Sequence, residues 1–248
     1  MTKLYSGIVV ALASLLLFNS SAQAETRNYQ VEVLIFSNLT SDTLDDEIWP
    51  TIDAVPALRS RKLTYYQQGQ PINYFTRLPK SSLQMGGKQA SLRRSPDYRV
   101  LFHEAWVQPI GEIKDQNRVR ITGGDILDNG LYELDGYISI DKARYLHFRT
   151  NLFHSRQLSA TETRLLLQAT TKPDSQNLTE GDNLTAASSD NEAMTDDESA
   201  NGNRYLTQTA IPDFLTTNLT SGRRMRSNEL HYLDHPLFGV LVQMTPTE

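Results

Sequence analysis

The stretch RRMRSNELHYLDHPLFGVLVQMTPTE, residues 223–248, decides how this chain folds. Three arginines occupy its first four positions, a strand-like run extends from Arg226 to Leu233, and a His235-Pro236 break precedes a second apolar run, Leu237 to Met244. Proline has no N–H to give to a ladder, so Pro236 separates two strands and does not sit inside one. An apolar strand this near the end of a chain needs a partner sheet to cover it. The partner is at the other end, in Tyr29 to Phe36, YQVEVLIF, where Val31, Val33 and Ile35 alternate with Gln30 and Glu32. That is the period of a half-buried strand, so the two ends of the chain close one sheet with Tyr29–Phe36 as a central strand.

Between these ends the pattern is mixed. Pro50 to Pro79 has no sustained period and reads as irregular with short extended pieces. Lys80 to Arg94 is the candidate helix, with Leu83, Ala90 and Leu92 near one face. Gly86 and Gly87 weaken its middle and shrink the regular part towards Lys88–Arg94, and Pro96 ends it. Tyr98 to Val107 follows as a strand that points Val100, Phe102 and Trp106 to one side. Arg118 to Ile121 alternates charge with Val119 and Ile121, and Asp128-Asn129-Gly130 marks a turn.

Tyr132 to Ile140 and Arg144 to His154 then form a hairpin across Asp141, Lys142 and Ala143. One face carries Leu134, Ile138 and Ile140 opposite Leu146, Phe148 and Leu152. The other presents Tyr137 with Tyr145, His147, Arg149 and Asn151, the most ligand-like row in the chain. Arg164 to Thr170 repeats a strand pattern. The expected class is therefore α+β: mainly antiparallel β-sheet, few short helices and one long disordered loop.

Composition sets the boundaries. Residues 1–24 have a signal-peptide layout: Lys3, an apolar run from Ile8 to Phe18, and an Ala22-Gln23-Ala24 cleavage site. That run is too short to span a membrane. Residues 25–248 are expected to form a single domain interrupted by a disordered acidic insertion at 171–203, which has almost no large apolar side chain to offset its ordering entropy. The insertion holds eight acidic residues and one lysine; without it and the signal segment, the body carries 22 basic and 21 acidic residues. Such a balance argues against nucleic acid as a partner. Cysteine is absent, which excludes disulfides, thiolate metal sites and a lipid anchor on cysteine.

Chemical motifs are sparse. His231 and His235 are spaced H-x-x-x-H, but Pro236 and the strand pattern oppose the helix that would bring them together, and HYLDH lacks the glutamate of a zinc-protease motif. No metal site is expected. Neither a G-x-S-x-G elbow, a Walker loop nor a G-x-G-x-x-G fingerprint occurs, so no catalytic residue and no cofactor are expected. A glycoside hydrolase needs two carboxylates that can lie far apart in sequence. Glu104, Glu112 and Asp135 flank strand patterns and are the only residues singled out for that role, against the plainer reading of solvated side chains.

The C-terminal RMRSNELHYLDHPLFGVLVQMTP resembles the closing motif of the CsiV family of periplasmic peptidoglycan-binding proteins. YQVEVLIF, EIWP (Glu47 to Pro50), YRVLFHEAWVQP (Tyr98 to Pro109) and ARYLHFRTNL (Ala143 to Leu152) follow the family's order across nearly the whole chain. The resemblance implies a non-enzymatic periplasmic protein that binds peptidoglycan and supports cell-wall assembly and cell shape. It also implies a protein partner, an outer-membrane lipoprotein that activates a penicillin-binding protein. Against that ligand Arg223, Arg224 and Arg226 gain a role, because stem peptides carry free carboxylates that a guanidinium fork grips bidentately. The alternative is that these arginines neutralise Glu229 and Asp234 along a sheet edge. Tyr145, His147, Arg149, Asn151, Arg224 and Arg226 are thus the expected ligand contacts. A wall hydrolase and an adaptor that touches only proteins are the competing functions.

Overall fold

The computed structural model describes residues 26–40, 52, 54–69, 71–114, 116–171 and 213–247. The signal segment, the Glu47–Pro50 landmark with Trp49, and all but the first residue of the acidic insertion lie outside the described residues. In chain order the elements are β1 (Arg27–Asn38), β2 (Arg61–Lys62), α1 (Gly86–Arg94), β3 (Tyr98–Ile110), β4 (Val119–Ile126), β5 (Tyr132–Lys142), β6 (Leu146–Gln157), α2 (Ala160–Thr171), β7 (Phe214–Met225), β8 (Leu230–His235) and β9 (Phe238–Pro246). They build a four-stranded sheet, β3-β1-β9-β8, and a five-stranded sheet, β2-β4-β5-β6-β7. All pairings are antiparallel except the short β2–β4 contact.

The ends of the chain meet as their alternation requires. β1 pairs along its length with β9, from Tyr29 opposite Pro246 to Ser37 opposite Phe238, and pairs with β3 on its other edge. Val31, Val33 and Ile35 of β1 share the inner face with Phe238, Val240, Val242 and Met244 of β9. The five-stranded sheet adds Ile121, Leu134, Ile138, Phe148 and Leu152 to the same hydrophobic cluster. Fully burying one such side chain stabilises by about 1.5–3 kcal/mol. Trp106 is wholly buried as well, and its Nε1 donates to Gln108 Oε1 at 2.7 Å, so its polar atom is satisfied. Pro236 and Leu237 form the turn between β8 and β9.

Four expectations need correction. Residues 164–170, read as a strand, belong to helix α2. The cause is a capping box: the Glu162 amide donates to Ser159 Oγ at 3.3 Å and the Ser159 amide donates to Glu162 Oε2 at 2.8 Å, which nucleates the helix before the leucine run begins. Arg226 does not start a strand but stands in the turn between β7 and β8, where Asn228 takes a φ of 64°. Helix α1 starts at Gly86, so the two glycines form its first turn and do not break its middle. A bulge in β3 opposite Ile35 and Phe36 places Val100 beside Phe36 on the outer face and leaves Leu101 to the core.

Candidate functional site

The β5–β6 hairpin has the expected alternation with a displaced turn. Lys142 pairs with Leu146, so the chain reverses through Ala143, Arg144 and Tyr145, and Asp141 lies inside β5 opposite His147. Further along, Ser139 faces Arg149, Tyr137 faces Asn151, and Ile140 faces Phe148 on the inner side. Gly136, at φ 143°, lets the β6 backbone approach β5, because a Cβ there would overlap the Asn151 carbonyl oxygen. β7 extends the outer face, with Arg224 opposite His147, Gly222 opposite Arg149 and Thr220 opposite Asn151.

Five of the six expected contacts therefore gather on one face. Tyr145, 41% exposed at the turn, has the Arg224 guanidinium 4.4 Å from its ring centroid and that of Arg144 at 5.5 Å. His147 Nδ1 stands 3.4 Å from Asp141 Oδ2. Asn151 Oδ1 accepts from Asn218 Nδ2 at 2.9 Å and from Thr220 Oγ1 at 3.3 Å, which extends a polar ladder across β6 and β7.

Of the row, Tyr137 differs from expectation, and Arg149 has a partner within the sheet. Arg149 is ion-paired to Asp141, whose side chain is only 7% exposed, so its charge answers a buried carboxylate. Tyr137 does not present itself to solvent: its hydroxyl donates to Pro56 O at 2.9 Å and accepts from the Leu58 amide at 3.0 Å, beneath the chain that leads to β2.

The remaining arginines and histidines take local roles. Arg226 pairs with Glu229 at 3.5 Å in its turn, the neutralising alternative, and Arg223 Nη1 donates to the Tyr232 carbonyl at 3.3 Å. His231 Nε2 accepts from the Arg226 amide at 3.4 Å, while His235 Nδ1 accepts from Leu237 N at 3.2 Å. Four residues apart on a strand, the two imidazoles are separated by ~13 Å of backbone and cannot share an ion. Among the described residues no cluster of three or more metal-type side chains occurs.

The carboxylates singled out for hydrolysis have unlike settings. Asp135 takes a bidentate grip from Arg120, at 3.0 and 2.6 Å, on the outer face of the five-stranded sheet. Glu104 lies on β3 of the other sheet; burial pushes its carboxyl up, against the pull of Arg77 at 3.9 Å. Glu112 is in the loop after β3.

Two arrangements escaped the sequence reading. On the outer face of the four-stranded sheet His103 Nε2 donates to Glu32 Oε1 at 2.8 Å, and the same carboxylate accepts from the amides of Gln84 and Met85 at 2.7 and 2.8 Å, which pins the chain entering α1. Burial pushes the Glu32 carboxyl up, but these hydrogen bonds outweigh it and hold the group below the usual range. The second is a cleft at the β2 edge lined by arginines, for which the Arg59-x-Arg61 spacing was the readable sign.

Among the described residues no helix is long and apolar enough to cross a membrane. The chain matches the family described as peptidoglycan-binding protein, CsiV, over residues 7–247. No curated protein and no solved structure matches it at a significant level.

Proposed function

Since the chain belongs to the CsiV family of peptidoglycan-binding proteins, we propose that it is a non-catalytic periplasmic protein that binds the wall through the outer face of β6 and β7. The observation that carries this reading is the exposed Tyr145 ring held against Arg224, beside the half-exposed His147. A tyrosine ring offers an apolar surface to a sugar, and a guanidinium that remains solvent-exposed can grip a carboxylate. Arg149 supports the face through Asp141, and the ligand contacts fall to Tyr145, His147, Asn151 and Arg224. Residues 1–24 act as the export signal, and residues 25–248 work as a single domain. In the cell the protein supports wall assembly and cell shape with an outer-membrane lipoprotein that activates a penicillin-binding protein.

Incubation of the purified protein with isolated sacculi tests the binding claim. Co-sedimentation without soluble fragments is expected, and release of muropeptides would replace it with the hydrolase reading. Failure to sediment, combined with capture of the lipoprotein, would favour a protein-only adaptor.

A further inference from the structure

At the opposite edge of the five-stranded sheet a cleft of about 660 Å³ is lined by Arg59, Ser60, Arg61, Gln116 and Arg118. Its arginines come from distant parts of the chain and meet for a local reason. The Arg61 amide donates to the Arg118 carbonyl at 2.8 Å, which lays Arg61 and Lys62 alongside Val119 and Arg120 in parallel. Arg59 and Arg61, two positions apart in the chain, both line the cleft. Arg118 Nη1 donates to the Arg59 carbonyl at 3.4 Å. Arg61 Nε donates to Asn117 Oδ1 at 3.1 Å, and its guanidinium stands 4.9 Å from the Phe75 centroid. Arg61 is thus oriented by neutral groups that leave its charge uncompensated among the described residues.

The described residues that line it bring three guanidiniums, a hydroxyl and an amide. The guanidiniums of Arg59 and Arg61 on one concavity favour an anion there, although the body of the chain is nearly balanced in charge. The volume falls within the range of small-ligand pockets. Phe75, with φ 62°, belongs to a loop closed by the Thr64–Thr76 bridge. That loop also carries Tyr65, Tyr66 and Tyr74 as exposed rings.

We propose that this cleft is a second binding site, and that it takes the free carboxylate of a peptide, in the wall the end of a stem peptide. The inference rests on the peptidoglycan-binding reading and adds the part of the polymer that is recognised at this edge. Guanidinium forks match a carboxylate in plane and charge; Ser60 and Gln116 can hydrogen-bond the adjoining amide. Phosphate is the other anion such a cluster holds, so the test must separate the two.

The test uses the mature full-length chain and a disaccharide-peptide fragment released from sacculi, in free-carboxylate form and with its carboxylates amidated. Calorimetric titration should show the amidated fragment binding about tenfold or more weakly than the free form. Arg59→Gln and Arg61→Gln should lose the free-form advantage by a similar factor while melting as the wild type does. Arg61→Lys should recover only part of it, because it keeps the charge and loses the fork. Equal binding of both fragments, or unchanged binding by variants that fold, would overturn the assignment. Inorganic phosphate competing as well as the free fragment would also overturn it, in favour of a phosphate site. Wild-type sedimentation with sacculi would survive either of those results, whereas its absence would remove the wall-binding reading itself.

Discussion

Each sheet carries a histidine against a carboxylate on its outer face, and the two pairs have opposite surroundings. His103 meets Glu32 at 2.8 Å with 1% and 3% of their side chains exposed, while His147 meets Asp141 at 3.4 Å with 35% and 7% exposed. The first pair is sealed under residues 84 and 85, whose amides donate to its carboxylate. The second is open on the histidine side and is flanked by Tyr145, Arg149 and Arg224. The same residue types therefore serve architecture where the chain covers them and remain open to a ligand where it does not. Proximity of a histidine and a carboxylate is not in itself a sign of function.

The sealed pair should be costly to break. Glu32→Ala removes the acceptor for His103 and two amides at a site closed to water, and should destabilise by about 3–5 kcal/mol in chemical denaturation, the usual cost of orphaning one side of a buried polar pair. A loss below about 1 kcal/mol would mean that residues 84 and 85 reach solvent freely. The wild type should also weaken in acid, since a depressed carboxyl gives stability above its unfolded value that is lost as pH falls through the lower folded one.

A third histidine lies between the sheets. Burial, then the charges of Arg156 and His235, lower His154 to about 3 from an ordinary 6.5. Between those values the unfolded chain binds a proton that the folded chain refuses. The contribution of this site to stability should thus fall as the pH drops from about 6.5 towards 3. His154→Leu should flatten that part of the melting profile; an unchanged slope would show that the imidazole is hydrated.

The open pair has a smaller structural share. Arg149→Ala leaves Asp141, among the described residues, with only the partly exposed His147 as an ion partner, and should cost about 1–3 kcal/mol. Sacculus binding by the folded fraction should persist. Loss of binding with no loss of stability would instead make Arg149 a direct ligand contact.

Much of the frame could be read from periodicity. Strict alternation at Val31, Val33 and Ile35, and again along residues 146–152, puts inner and outer faces where the structure has them, because strand periodicity depends only on local sequence. What periodicity does not contain is register. The β5–β6 turn lies at residues 143–145 and not at 141–143, and that shift is what makes Asp141 the partner of Arg149. The Ser159–Glu162 capping box was legible and decides α2 against a strand. Glu32 with His103, and Arg59 with Arg118, are joined only by tertiary packing across long separations, which no window of sequence reports.

Sedimentation of Tyr145→Ala/Arg224→Ala with isolated sacculi at low salt shows whether the outer face of β6 and β7 binds the wall. Both side chains are exposed, so the melting curve should stay within about 0.5–1 kcal/mol of the wild type. Binding should fall several-fold, with the defect shrinking as added salt screens the wild-type contact. Wild-type sedimentation by a folded double variant would rule out this face and move the wall contact to another surface.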